Sequence, residues 1–140
     1  MASPHILLSA GPLSLDDCFR LVSDPACGGL CFFVGTIRNH NRGHAVTRLE
    51  FDSYGPMALR EMERIRAGAR EQFAVEHLCL HHRTGALEVG DVAVIIGVAS
   101  VHRAEAFRAC SWVIDELKRT VPIWKHEFRE DGGVWIGARP

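Results

Sequence analysis

Along this chain, stretches with every second residue apolar give way to longer stretches where apolar residues return every third or fourth position. The first period belongs to strands and the second to helices. "HILLSA" (5–10) predicts a short strand. "SLDD" from Ser14 to Asp17 is a capping-box-like helix start, with Asp in place of the usual Glu. Leu15, Cys18, Phe19 and Val22 continue it at helical spacing, and Pro25 with Gly28-Gly29 ends it. "GLCFFVGTI" (29–37) is nearly continuously apolar at strand length and predicts a central strand. "RNHNRGH" (38–44) predicts a polar loop. "AVTRLEFDSY" (45–54) alternates, with Leu49 and Phe51 on one face, and predicts a half-buried strand. Gly55-Pro56 then turns the chain into a helix whose apolar stripe is Ala58, Met62, Ile65, Ala69 and Phe73.

In the second half, "VEHLCLHHR" (75–83) predicts a strand and "TGALEVGD" (84–91) a turn-rich connection. "VAVIIGVASV" (92–101) is the most apolar stretch and predicts a fully buried strand. A helix follows from about His102 to Arg119, with Phe107, Cys110, Ile114 and Leu117 as its expected buried face. Pro122 stops it, because proline lacks the N–H a helix needs and pushes Val121 out of the helical region. "IWKHEF" (123–128) alternates, so Ile123, Lys125 and Glu127 face one way and Trp124, His126 and Phe128 the other. "DGG" (131–133) predicts a turn and "VWIGA" (134–138) a last strand, the two strands forming a hairpin. This mixed order predicts an α+β fold with a mixed, largely antiparallel sheet and about three helices.

Composition narrows the picture. The 140 residues suit one domain spanning 1–140, and 47% apolar with 24% charged residues suits a packed core. A formal charge of −1 gives no overall field for nucleic acid or an anionic membrane, so an anionic ligand needs a local basic pocket. Five scattered cysteines without a CxxC pair point away from a disulfide framework and toward a reducing, cytoplasmic setting. The N-terminus lacks the pattern of a signal peptide, and no stretch reaches the length of a membrane helix.

Three basic clusters carry the candidate chemistry. Lys118 stands at a helix end, where the dipole favours a cation. Lys125 lies on a strand beside Trp124, where desolvation or a second cation lowers a lysine's pKa toward that of a base or nucleophile. His102 and Arg103 open a helix directly after the most buried strand, a place suited to anions. Arg38, Asn39, His40 and Arg42 follow the strand at 29–37 and suit the same role. His77, His81 and His82 invite a zinc reading, but their alternation splits them and no cysteine or carboxylate completes a set, so no metal is expected. Neither a nucleophile elbow nor a P-loop occurs. The residues alone thus suggest lysine chemistry on an anionic, phosphorylated small molecule.

"FVGTIRNHNRG", "LEFDSYGPMA", "HHRTGALEVGD", "SVHRAEAF" and "DELKRTVPIWKHE" occur in the order in which the molybdopterin synthase catalytic (large) subunit family carries such blocks. The chain resembles that family from about Leu30 to Arg139, while residues 1–29 match it poorly. The chain stops one residue after Arg139, where many members continue. The resemblance implies a hammerhead-like α/β fold and sulfur transfer onto cyclic pyranopterin monophosphate, forming the molybdopterin dithiolene. It implies a homodimer with a small ubiquitin-like subunit at each end, whose C-terminal Gly-Gly thiocarboxylate supplies the sulfur. No cofactor is implied. Lys118 and Lys125 match the family's active-site lysines. Thr36, Ile37, Arg38, His102, Arg103, His126, Glu127 and Arg139 match its substrate-binding positions.

His102 and Lys118 lie sixteen residues apart on one helix, on the order of 20 Å. One pterin cannot easily touch both, so a pocket shared between two subunits is expected. Two other readings stay open: a non-catalytic module gripping a ubiquitin-like tail, and a lysine-dependent phosphate-ester isomerase or lyase.

Overall fold

A computed structural model describes residues 4–137. Its elements are β1 (Ile6–Ser9), α1 (Leu15–Val22), β2 (Gly29–Thr36), β3 (His40–Asn41), β4 (His44–Ser53), α2 (Gly55–Gln72), β5 (His77–Arg83), β6 (Gly85–Glu88), β7 (Val92–Ser100), α3 (Arg103–Thr120), β8 (Ile123–Arg129) and β9 (Val134–Gly137). The α+β expectation holds, with three helices and mostly antiparallel pairing. The strands form two sheets rather than one, ordered β1-β5-β7-β2 and β3-β4-β8-β9, with β6 added to β4. Among the described residues, only β1 runs parallel to its neighbour, β5.

The first sheet is covered on both faces, which explains why β7 reads as a continuous apolar run. Cys79, Ile95 and Ala99 point toward α1, where Cys18 and Val22 meet them. Leu78, Leu80, Ile96 and Val98 point the other way, into the core shared with α2 and α3. The predicted α2 stripe is the buried one: Ala58, Met62, Ile65 and Ala69. Burying a side chain the size of Met62 or Ile65 contributes roughly 1.5–3 kcal/mol. Ser14 caps α1 by accepting a hydrogen bond from the Asp17 amide at 3.1 Å.

Four expectations need correction. The run 29–37 forms an edge strand, since β2 pairs only with β7, and Phe33 and Val34 are exposed. Apolar content therefore did not report strand position here. The stretch 38–44 contains a hairpin, with Asn41 paired to His44 and Arg42-Gly43 at the tip. Both tip residues have positive φ, 51° and 80°, as a two-residue hairpin turn demands. The stretch 84–91 contains β6, whose Leu87 is buried against Leu49 of β4. On α3, Phe107 is 61% exposed. Its buried stripe is Ala106, Ala109, Cys110, Val113 and Leu117, so Cys110 and Leu117 are buried as expected while Ala106 and Val113 take the places of Phe107 and Ile114.

Candidate active site

A pocket of about 350 Å³ lies where the open end of β2 and the last turn of α3 meet the second sheet. Each wall follows from strand periodicity. On β8, Lys125 and Glu127 point inward opposite Phe51 and Leu49 of β4. From β5 comes His82, from α3 come Ile114, Leu117 and Lys118, and from the end of β2 come Thr36, Ile37 and Arg38. Among the described residues, the charged side chains lining it are Arg38, Lys118 and Lys125 against Glu127, three cations to one carboxylate. A chain of overall charge −1 thus holds a locally cationic pocket.

Pro122 creates the juxtaposition of the lysines. Helix α3 ends at Thr120, and Val121 turns to an extended conformation (φ −76°, ψ 128°) while its N–H still bonds to Leu117. The chain then enters β8 directly, bringing Lys125 back past the last turn that carries Lys118. Burial holds the Lys125 pKa below the usual lysine range, and Lys118, Arg38 and Arg42 push the same way. Glu127 opposes them, with Oε1 3.8 Å from Lys125 Nζ. Glu127 is itself buried and accepts a 2.5 Å hydrogen bond from Asn41 Nδ2. The β3–β4 hairpin therefore orients the carboxylate that orients the lysine.

His82 is 1% exposed, and burial pushes its pKa down to about 4. Its ring stands edge-on to Phe51, with centroids 5.0 Å apart. It forms a neutral wall beside the lysines. The other two histidines of its strand serve elsewhere, His77 beside Asp24 at 2.8 Å and His81 beside Cys18 at 3.3 Å. Among the described residues, no three His, Cys, Asp or Glu side chains gather as a metal site.

Of the sequence-derived positions, Lys118, Lys125, Thr36, Ile37, Arg38 and Glu127 come together at this pocket. His126 does not line it, because it alternates to the opposite face of β8. His102 and Arg103 are exposed at the start of α3 and do not line it either. Arg139 lies outside the described residues. Sequence reasoning missed Asn41 and His82. Asn41 became visible only once the hairpin aimed it at Glu127, whereas the alternation of β5 had already turned His82 away from His77 and His81.

A family model described as the MoaE protein matches residues 8–120. The chain belongs to the MoaE family. It is 45% identical to molybdopterin synthase catalytic subunit 1 of Mycobacterium tuberculosis, over 99% of this chain and 95% of that protein. It is 42% identical to the human molybdopterin synthase catalytic subunit, over 96% of this chain and 71% of that one. A crystal structure of molybdopterin synthase from Staphylococcus aureus superposes with a TM-score of 0.91 at 29% identity, covering 97% and 98% of the two chains. The MoaE likeness reaches further toward the N-terminus than the sequence blocks do, taking in the end of β1 and all of α1. Among the described residues, no helix is long and apolar enough to cross a membrane.

Proposed function

We propose that this MoaE chain is the catalytic subunit of a molybdopterin synthase, folded as one domain over residues 1–140, and that the Lys118–Lys125 pocket is its sulfur-transfer centre. The sulfur comes from the thiocarboxylate at the Gly-Gly tail of a small ubiquitin-like subunit. The acceptor is cyclic pyranopterin monophosphate, and the product is the molybdopterin dithiolene. The observation that carries the reading is a partly buried lysine, ion-paired to a buried carboxylate, in a cationic pocket.

Arg38 holds the substrate's phosphate, and Arg139 is assigned the same work on the family resemblance. Thr36 and Ile37 fix the wall beside it. Lys125 or Lys118 assists attack of the thiocarboxylate sulfur, by proton transfer or by stabilising the charge that develops. Glu127 sets the direction of Lys125. The reaction draws its sulfur from the partner, so the five free cysteines need no catalytic role. A cytoplasmic setting is part of this reading, supported by five cysteines that stay free thiols, as a reducing compartment keeps them.

His102 and Arg103 bind substrate in the pocket of a second copy. Helix α3 separates His102 from Lys118 by sixteen residues, about 24 Å at 1.5 Å per residue. A twofold homodimer lets each α3 start complete its partner's pocket, and a small subunit at each end makes a heterotetramer. His126 lies on the other face of β8, away from this pocket.

The test is to incubate the purified chain with thiocarboxylated small subunit and cyclic pyranopterin monophosphate, then analyse the pterin by mass spectrometry. Two sulfurs gained per pterin is the expected result. A module that only grips the tail leaves the pterin unchanged, and an isomerase or lyase changes it without the partner.

A further inference from the structure

The β8–β9 hairpin brings one more side chain to Lys125. Trp135 stands opposite Glu127 in the β8–β9 register, so the two point to the same side of the sheet. Its ring lies 5.4 Å from Lys125 Nζ and 4.9 Å from Arg42 Cζ. Arg42 comes from the tip of the β3–β4 hairpin, where its left-handed backbone turns it off the strand path. Two cations brought together in water repel and separate. An indole attracts both, because its ring carries negative charge on its face.

We propose that Trp135 is a positioning residue for Lys125: an indole platform that holds Arg42 and Lys125 side by side at the mouth of the pocket, keeping the lysine partly dehydrated and facing a second, fixed cation. The proposal rests on Lys125 being a reacting lysine. The groups facing that ammonium come from every neighbouring element. They are Glu127 on its own strand, Lys118 from α3, Arg38 after β2 and Arg42 from the hairpin. His82 from β5 and His40 from β3 line the same pocket.

The platform acts through two linked effects. Its ring keeps water from one side of the lysine, and burial is the largest influence lowering the Lys125 pKa. It also anchors Arg42, whose charge lowers it further. Loss of the ring admits water and frees Arg42 to swing into solvent, and both changes raise the pKa. The ring's own attraction for the ammonium works the other way. Arg42→Gln therefore isolates one effect with a clear sign: removing a nearby positive charge lets Lys125 hold its proton to higher pH. Trp135→Leu removes the aromatic face, and Trp135→Phe retains one.

The experiment uses the assembled complex of this chain with its small subunit. Lys125 is labelled with acetic anhydride across a pH series and quantified by peptide mass spectrometry, which needs no turnover. Sulfur-transfer rates are measured over the same series. In Arg42→Gln and Trp135→Leu, the labelling midpoint is expected to move up toward the ordinary lysine value of 10.5. The lysine limb of the rate profile moves with it. The Trp135→Leu rate at neutral pH falls by about 10- to 100-fold, the scale of a misplaced catalytic group, and Trp135→Phe recovers most of it. An unchanged midpoint in Trp135→Leu overturns the proposal, whatever Arg42→Gln shows, including the case where the rate falls equally at every pH, since that pattern reports packing alone. If the midpoint shifts while Lys125→Ala retains wild-type turnover, the platform stands and the catalytic assignment of Lys125 falls.

Discussion

Lowering the pH should destabilise this protein through His82 in particular. Its ring is buried with a pKa of about 4, whereas an unfolded chain returns it to about 6.5. Between those values the unfolded state binds a proton that the folded state refuses, so stability falls as the pH falls. The slope approaches about 1.4 kcal/mol per pH unit, and the whole window removes about 3 kcal/mol. That is a large share of the roughly 5–15 kcal/mol that holds a typical domain together. His81 contributes with the opposite sign, because its pKa is raised in the fold, where Cys18 and the Pro4 carbonyl favour its charged form against the cost of burial. The difference between wild type and His82→Gln isolates the effect. Urea midpoints measured for both at pH 7.5, 6.0, 5.0 and 4.5 should show the variant losing less stability with acid. Parallel profiles for the two proteins would refute the claim that His82 is held neutral in the pocket wall.

Three other outcomes follow from the geometry. In Gly29→Ala, the new Cβ would lie 2.8 Å from the backbone N and Cα of Arg103. The start of α3 must shift, costing roughly 1–3 kcal/mol in thermal melts and raising KM. Asn41→Ala strips the buried Glu127 carboxylate of its hydrogen-bond donor. It should cost about 1–3 kcal/mol and lower kcat more than it raises KM, as steady-state kinetics would read. Finally, mixed dimers carrying Lys125→Ala in one copy and Arg103→Ala in the other hold one intact pocket of two. They should regain about half of wild-type turnover, whereas each parent homodimer has no intact pocket. Mixed dimers as inactive as both parents would exclude a shared pocket.

Periodicity alone located the elements that place the lysines. The α2 stripe, the buried β7 strand, the stop at Pro122 and the inward face of β8 were all legible, because each is a local pattern. What escaped depended on distant pairing. The run 29–37 is apolar enough for a central strand, yet its neighbour on one side is absent from this chain's sheet. Leu87 gave too short a signal for β6, which exists because β4 offers it an edge. Phe107 and Ile114 outweighed Ala106 and Val113 as apolar signals, so two of the four expected α3 stripe residues were one position off, while Cys110 and Leu117 were right. At the site, Lys118, Lys125, Arg38 and Glu127 were readable from spacing and family resemblance. Asn41 and Trp135 were not, since Asn41 reaches Glu127 and Trp135 reaches Lys125 only through a hairpin register.

The central claim is that Lys118 and Lys125 form a sulfur-transfer centre, and single-turnover assays of their alanine variants test it most directly. Each variant, complexed with thiocarboxylated small subunit, is mixed with cyclic pyranopterin monophosphate and the dithiolene product is quantified over time. At least one variant should lose about 100- to 10,000-fold in rate, the usual contribution of a positioned acid–base group, while still binding the small subunit. Wild-type rates in both variants would contradict the account.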